Sequence, residues 1–456
     1  MIEQAIAASK LPPEWRAQPN ALPTARYTSR EFAELEREHI WGKCWQMAAR
    51  IDQLRRPGDY YVYEILDDSV VLVRAADMSI KAYHNVCPHR ATALAVGAGQ
   101  LTDATFTCPF HGWKWNTLGE NTYLPDRQEF KAGCLTAQDV ALKEVRTELW
   151  GGSVWISFDP DPVPFEQHIA PIQELVDAIK LSEMRFRWHR TIVAPCNWKV
   201  ALEAFMEAYH VPVTHPQLAT AFPDAEAFAR IYEYKTFLNG HGIFRTVPGQ
   251  TMSEGRGAAS RAGGLTHEEQ FRAMMQGLGA NAEGLDAMIT EGDMEIARSM
   301  RNRLVPDGST LGDELERVIR EHYAAQGRAI GTVEAMRQVT DMNIFPHVVF
   351  LPYFGNCVMY RARPLPDNNP DTCLFEVFAL STYPEGEEAP EWKITEVTDP
   401  TGPDGFRLIP LQDISNVGRV QRGLHSRGIS MVAFSDRQEI TITNHHREMD
   451  RLIESA

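Results

Sequence analysis

The chain has 456 residues, 44% of them hydrophobic and 23% charged, with a formal net charge of −16 at neutral pH. That length exceeds a lone electron carrier and allows about two to four domains, and the acidic balance argues against a nucleic-acid or anionic-membrane surface. No apolar run approaches the ~20 residues needed to cross a bilayer, residues 1–7 carry no basic region ahead of an apolar stretch, and five of the seven cysteines, Cys44, Cys134, Cys196, Cys357 and Cys373, are widely scattered, which suits reduced thiols in a cytoplasm.

The first segment, 1–45, carries a helix. Thr28-Ser29-Arg30-Glu31 has the form of a capping box, and Phe32, Leu35 and Ile40 follow at roughly helical spacing. From 46 to 161 the pattern changes to short β-rich runs at 60–65, 69–73 and 152–158, broken by Gly and Asp turns, which reads as one small β domain. Inside it stand Cys87-Pro88-His89 and, after eighteen residues, Cys108-Pro109-Phe110-His111. Two thiolates and two imidazoles suit an iron-sulfur cluster in which cysteines hold one iron and histidines the other, and the neutral ligands raise its reduction potential. A structural zinc site uses the same residue types, but its ligand pairs are usually separated by two to four residues; here Pro88 alone separates Cys87 from His89. The flanks, His84-Asn85-Val86-Cys87-Pro88-His89-Arg90 and Cys108-Pro109-Phe110-His111-Gly112-Trp113, resemble the two cluster loops of Rieske proteins.

Beyond Pro162 a helix is predicted over 164–181 and a strand over 186–194, followed by the stretch 197–215. Taken as a helix, it sets Glu203, Glu207 and His210 at i, i+4 and i+7 on one face. Pro212 ends or kinks it and returns His215 toward His210. Two imidazoles beside a carboxylate make most of a 2-His-1-carboxylate triad, which holds ferrous iron and leaves positions open for dioxygen. Alone, the pair reads as hydrogen-bonded or partly exposed histidines; a cluster that delivers electrons needs an acceptor, which turns the reading toward iron. The segment 251–329 is rich in Met, Gly and charge and reads as a helical insertion or lid, or as an ordinary surface helical hairpin. Three β-like runs, 344–352, 356–363 and 373–384, predict antiparallel neighbours. A second capping box, Ser435-Asp436-Arg437-Gln438, opens the last helix.

In this order of features the chain resembles the catalytic α subunit of Rieske non-haem iron oxygenases, the aromatic-ring-hydroxylating dioxygenase family, over nearly its whole length. The resemblance implies an α+β protein: a small all-β Rieske [2Fe-2S] domain at 46–161, and a catalytic domain of helix-grip (START-like) form with an antiparallel sheet at 162–456. The segment 1–45 would pack with the latter. Implied ligands are Cys87, His89, Cys108 and His111 for one [2Fe-2S] cluster, and His210 and His215 for one Fe(II). The third iron ligand of the family lies upstream of a Gln-x-Gly element; Leu411-Gln412-Asp413-Ile414-Ser415 before Gln421-Arg422-Gly423 matches, which points to Asp413. Asp404 is the nearest competitor, and a helix N-terminal carboxylate the alternative role.

Two departures stand out. Ala204 replaces the Asn common after the first Glu of the motif, and Glu207 replaces the Asp that bridges the two metal centres in many dioxygenases, as in the branch containing carnitine-type monooxygenases. The activity implied is that of a terminal oxygenase component using O2 and electrons from NAD(P)H. A separate flavin-dependent reductase, with or without a ferredoxin, would supply them, since no Gly-x-Gly-x-x-Gly after a strand and no second cysteine set appears here. The family also implies a homotrimer, with or without a β subunit, and Glu207 as an electron-transfer bridge between subunits. Phe205, Met206, Phe244, Phe350 and Tyr353 are candidate pocket residues and favour an aromatic or polycyclic substrate. The alternatives are a monooxygenase or demethylase acting on a quaternary amine in an aromatic cage, and a non-catalytic Rieske electron-transfer protein.

Overall fold

The computed structural model describes residues 11–130, 135–220, 222, 224–247 and 266–455; Cys134 and the part of the predicted insertion at 251–265 lie outside them. Contacts divide the chain into two compact units: Trp41–His168 with Leu365–Asp367, and the remainder. No helix among the described residues is long and apolar enough to cross a membrane.

The first unit is all-β in its regular structure apart from short helical turns. One antiparallel sheet has the order Ile80–His84, Asp68–Arg74, Asp59–Ile65, Ala98–Gln100. Val70 to Val73 are all fully buried, so the second of these strands packs on both faces, as its unbroken valine-leucine run requires. Two three-stranded sheets complete the unit: Thr105–Thr107, Lys114–Asn116 and Asn121–Tyr123, and Arg146–Trp150, Ser153–Ser157 and Gln46–Arg50. Val71, Val73, Tyr83, Phe106 and Trp115 form a core that also contains Cys87 and Cys108.

The second unit is built on an eight-stranded sheet in the order Tyr232–Thr236, Gly242–Thr246, Asp341–Ile344, Val348–Tyr353, Asn356–Pro364, Cys373–Ser381, Arg185–Ala194, Ile394–Glu396. All its pairs are antiparallel except the last. Helix Trp198–Glu203 lies on the strands Asn356–Pro364 and Cys373–Ser381, and helix Ile440–Ser455 packs on Tyr232–Thr236 and Gly242–Thr246. The architecture is therefore α+β with an antiparallel sheet.

Local departures from the predicted elements have physical causes. The run 344–352 is two strands, Asp341–Ile344 and Val348–Tyr353, because Pro346 has no N–H to give a ladder. The helix at 164–181 breaks into Phe165–Ile169 and Gln173–Ala178 around Pro171, which disfavours helix at Ala170. Ser29, not Thr28, caps the helix Arg30–Glu36 by accepting the Phe32 N–H. Between 266 and 325 three helices run at His267–Leu285, Glu291–Ser299 and Leu311–Ala325. Each is opened by a threonine cap with a reciprocal acid three residues on: Thr266 with Glu269, Thr290 with Asp293, and Thr310 with Asp313. The first packs on helix Leu408–Leu424 and on Pro216–Ala219, which is more than a surface hairpin does.

Candidate metal centres and cavity

The two Cys-His loops share one backbone frame. In the first, Cys87 N–H donates to Thr92 O at 2.8 Å and Ala91 N–H to Cys87 O at 2.9 Å; in the second, Cys108 N–H donates to Trp113 O at 2.8 Å and Gly112 N–H to Cys108 O at 3.0 Å. Each turn passes through a left-handed residue at the same place, Ala91 at φ 59° and Gly112 at φ 74°. Asn85 pins the first loop: its Oδ1 accepts the Leu94 and Ala95 amides at 2.9 and 3.0 Å, and its Nδ2 donates to Ala95 O and Ser69 Oγ.

This frame brings all four predicted cluster residues together. Cys87 and Cys108 are buried and their thiols interact, while burial pushes the Cys87 thiol up. The His89 and His111 rings lie 4.6 Å apart at the outer end, His111 exposed, and His89 stacks on Trp113 at 5.0 Å and 3°. His89 Nδ1 is buried with no hydrogen-bond partner. An unsatisfied buried nitrogen is costly, so the two sulfurs and paired imidazoles fit a [2Fe-2S] cluster of the mixed-ligand kind.

The second constellation is assembled differently from the expected helix. Asn197 caps helix Trp198–Glu203 by accepting the Lys199 N–H, and the helix stops at Glu203. Glu203 and Glu207 therefore do not share a helical face. Glu207 instead caps the following turn: its carboxylate accepts the Tyr209 N–H, the His210 N–H at 3.1 Å and the His210 Nδ1–H at 2.5 Å. Pro212 sits in the first turn of the short helix Val211–Thr214, where a missing N–H costs nothing. It starts a helix rather than ending one, and His215 follows directly.

Asp413 arrives from the middle of helix Leu408–Leu424, not from its N-terminus. Its Oδ1 lies 2.9 Å from His215 Nε2 and 3.7 Å from His210 Nε2, and ligand atoms of the three residues all fall within 4.8 Å of one another. Asp404, the competing candidate, is exposed in the loop ahead of that helix.

The protons can be assigned from the partners. Gln412 Oε1 accepts from Gln217 Nε2 at 2.8 Å and lies 2.8 Å from His215 Nδ1, so Nδ1 carries the hydrogen and Nε2 is bare. Glu207 does the same for His210 Nδ1. A bare Nε2 facing a carboxylate oxygen at 2.9 Å is repulsive unless a cation or proton lies between them. Asp413 Oδ2 is also buried without a partner. The arrangement fits a divalent metal with outward hydrogen bonds orienting both imidazoles. Burial opposes charge on His210, but Glu207 and Asp413 carry it up to about 9 in the metal-free protein.

Two cavities meet these residues. The first, about 90 Å³, is lined by Phe205, Phe228, Tyr232, Phe244, Leu285 and Asp341 together with His210, His215 and Asp413. The second, about 300 Å³, shares Glu207, His210 and Asp413 with the first and adds Tyr27, Glu203 and Glu439. Of the predicted pocket residues, Phe205 and Phe244 line the first cavity; Met206, Phe350 and Tyr353 are buried elsewhere in the core. Leu351, next to Phe350 and on the opposite face of the pleat, takes the wall position. Phe228, Tyr232, Leu285 and Met288 were not singled out from sequence; the last two come from the helical insertion, whose pattern gave no direction.

A family model of the ring hydroxylating alpha subunit (catalytic domain) matches residues 181–455, and one of the Rieske [2Fe-2S] domain matches 44–141. Together these define a Rieske oxygenase subunit. The chain belongs to the ring hydroxylating alpha subunit family, in which a Rieske domain is joined to a catalytic domain that binds mononuclear iron. It is 27% identical over 218 residues to the carnitine monooxygenase oxygenase subunit of Acinetobacter baumannii, covering 47% of this chain and 58% of that one. It is 29% identical over 194 residues to the benzene 1,2-dioxygenase subunit alpha of Pseudomonas putida, covering 41% and 42%. The chain thus spans 58% of the length of the first of these curated relatives and 42% of the second. Among solved structures, a quaternary ammonium Rieske monooxygenase in complex with L-carnitine aligns with TM-score 0.63 at 18% identity, covering 98% of this chain and 99% of that one. Naphthalene 1,2-dioxygenase with indole bound aligns with TM-score 0.68 at 17% identity, covering 98% and 95%. Both share the fold. Rieske oxygenases take electrons from a reductase or ferredoxin and assemble as multimers.

Proposed function

We propose that this chain is a terminal oxygenase component that hydroxylates an organic substrate with O2, using electrons that a flavin-dependent NAD(P)H reductase supplies directly or through a ferredoxin. The observation that carries the reading is the convergence of His210 Nε2, His215 Nε2 and the Asp413 carboxylate, with both Nδ1 atoms held outward. In this reading residues 46–161 are the Rieske domain, with Cys87, His89, Cys108 and His111 as cluster ligands. Residues 162–456 are the catalytic domain, with His210, His215 and Asp413 as iron ligands. Of the segment 1–45, the described residues 11–40 pack with the catalytic domain, as the buried Glu36–Lys199 pair at 2.5 Å supports. None of the six described cysteines forms a disulfide, and the four outside the cluster loops, Cys44, Cys196, Cys357 and Cys373, are buried, in keeping with a cytoplasmic protein.

When bound, the two iron centres supply one-electron transfer and open positions for dioxygen. The side chains do the rest. Glu207 and Gln412 fix the imidazole orientations, Trp113 fixes the His89 ring, and the apolar wall of Phe205, Phe228 and Phe244 excludes water from the reacting face. Glu207 also bridges the centres in a homotrimer, with or without a β subunit: it holds His210 on one side and, in this assembly, receives the exposed His111 or its neighbour His89 from the adjoining subunit.

The apolar wall supports an aromatic substrate. Free space of about 90 Å³ is smaller than the roughly 150 Å³ cavity that takes up benzene, so a single ring or a compact group fits better than a polycycle unless the walls move. A second reading is favoured by Asp341, a buried carboxylate in the same wall as Phe228, Tyr232 and Phe244; a carboxylate among aromatic rings suits a quaternary ammonium. Substrate-dependent oxygen uptake with a generic reductase, over aromatic, steroid-like and quaternary-amine compounds, separates the readings. Loss of uptake in Asp341→Asn with an amine but not with a hydrocarbon selects the second. Iron content of about two per chain, rather than about three, with no uptake for any compound, would instead select a non-catalytic electron carrier.

A further inference from the structure

One largely buried acid beside the metal site, its side chain 13% exposed, has no part in the mechanism above. Glu203 Oε1 accepts from His446 Nε2 at 2.7 Å, and the Tyr27 hydroxyl lies 3.1 Å from each carboxylate oxygen. Arg26 Nε donates to His446 Nδ1 at 2.9 Å. A guanidinium only donates, so Nδ1 accepts and the single hydrogen of the neutral ring points from Nε2 to Glu203. Arg26 in turn pairs with Asp450, Nη1 to Oδ1 at 2.5 Å. This rear side passes no protons: Arg26 keeps its own, and burial holds His446 well below the ordinary histidine range.

The front side is different. Glu203 lines the 300 Å³ cavity together with Glu207, His210 and Asp413, and Val420 on its lining is half exposed. A space of that size has room for several waters, and although most of its wall is apolar, the carboxylates of Glu203, Glu207, Asp413 and Glu439 line it and can hold them. Burial pushes Glu203 up to about 7, against the pull of Lys199, the Tyr27 hydrogen bond and Arg26. The titratable groups around it are Tyr27 and Arg26 from the short helix Ala25–Thr28, Lys199 on its own helix with Glu36 behind, His446 and Glu439 from the C-terminal region, and Glu207 and Asp413 across the cavity.

We propose that Glu203 is the proton store of the oxygen site, giving its proton through cavity water to the oxygen being reduced and regaining it from solvent by the same cavity. The inference rests on the oxygenase reading. Either form of that reaction takes up two electrons and two protons per O2: substrate C–H becomes C–OH with release of water, or an aromatic bond becomes a diol. The reductase supplies the electrons. The carboxyl O–H of Glu203 breaks, an O–H forms on a reduced oxygen by way of water, and the carboxylate left behind takes a proton from solvent before the next transfer.

The test uses the full chain and Glu203→Gln, which keeps an acceptor for His446 and Tyr27 but cannot titrate, with Glu203→Asp as the conservative control. Infrared titration of the metal-free protein should show a carboxyl signal with a midpoint near the value of about 7, absent in Glu203→Gln. In the iron-loaded, prereduced protein, single-turnover product formation should fall above that midpoint. It should be about 10²-fold slower and flat with pH in Glu203→Gln, and partly restored in Glu203→Asp. Cluster spectrum and iron content should not change. Should Glu203→Gln misfold, Tyr27→Phe removes one hydrogen bond to the carboxylate, and the infrared and turnover midpoints should rise together. Wild-type rate and pH profile in Glu203→Gln, or midpoints that separate in Tyr27→Phe, overturn the proton role alone. Absence of oxygen uptake by the wild-type chain with every substrate overturns the oxygenase reading and this inference with it.

Discussion

Asp413 and Asp404 lie nine residues apart in sequence, yet only one is placed to act with the histidines. Asp413→Ala should deplete the mononuclear iron and abolish turnover while the cluster spectrum stays intact, and Asp404→Ala should leave both as they are; metal analysis beside visible spectroscopy reads the difference. Glu207→Gln keeps the volume and one acceptor oxygen but removes the charge. Oxidation of the prereduced cluster by O2 and substrate should slow severely in this variant, with metal content and assembly retained. A near-normal single-turnover rate would place the electron path elsewhere. Glu203 also affects stability. Its folded-state pKa, about 7, is raised above the ordinary 4.5 by burial, so its favourable contribution is fully present below about pH 4.5 and is lost as pH rises through about 7. Relative to wild type, Glu203→Gln should gain up to about 3 kcal/mol between pH 4.5 and 8, read as diverging denaturant midpoints.

Helix Arg30–Glu36 is held to helix Trp198–Glu203 by one buried ion pair, Glu36 with Lys199 at 2.5 Å, to which Trp198 Nε1 adds a hydrogen bond at 3.2 Å. Burial depresses Lys199 and Glu36 opposes it. Glu36→Ala leaves that ammonium buried without its carboxylate and should cost about 3–5 kcal/mol, whereas Glu36→Leu combined with Lys199→Met should cost much less. Thermal unfolding distinguishes them. At this scale the sequence was legible wherever side-chain type and spacing decide the outcome. The strands at 60–65 and 356–363 were readable from apolar and β-branched runs, and the two Cys-His loops from their ligands. The motif at 197–215 was readable as residue types but not as geometry: a carboxylate capping its own turn breaks the helix that spacing suggested. Phe350 and Leu351 could not be told apart before the pleat of their strand was known. The wall contributed by Leu285 and Met288 depends on where a distant helix docks, and no local pattern carries that.

For the whole molecule, the two centres differ in how much chain each one needs. Both Cys-His loops lie within a compact unit made almost wholly of Trp41–His168, with three residues, Leu365–Asp367, added from afar. The candidate iron triad draws on residues 210, 215 and 413, and Glu203 on the neighbouring cavity is held by a network that joins residue 26 to residue 446. N-terminal units fold first as a chain emerges from the ribosome. Maturation should therefore be ordered: the sulfide-bridged centre can be inserted while synthesis continues, but ferrous iron has no binding site until the C-terminal helices are released. Nascent chains stalled after about 230 residues should already carry the red-brown cluster absorbance and take up no third iron. Chains stalled short of the last helix should bind that iron weakly, a difference that metal analysis of purified ribosome complexes measures directly.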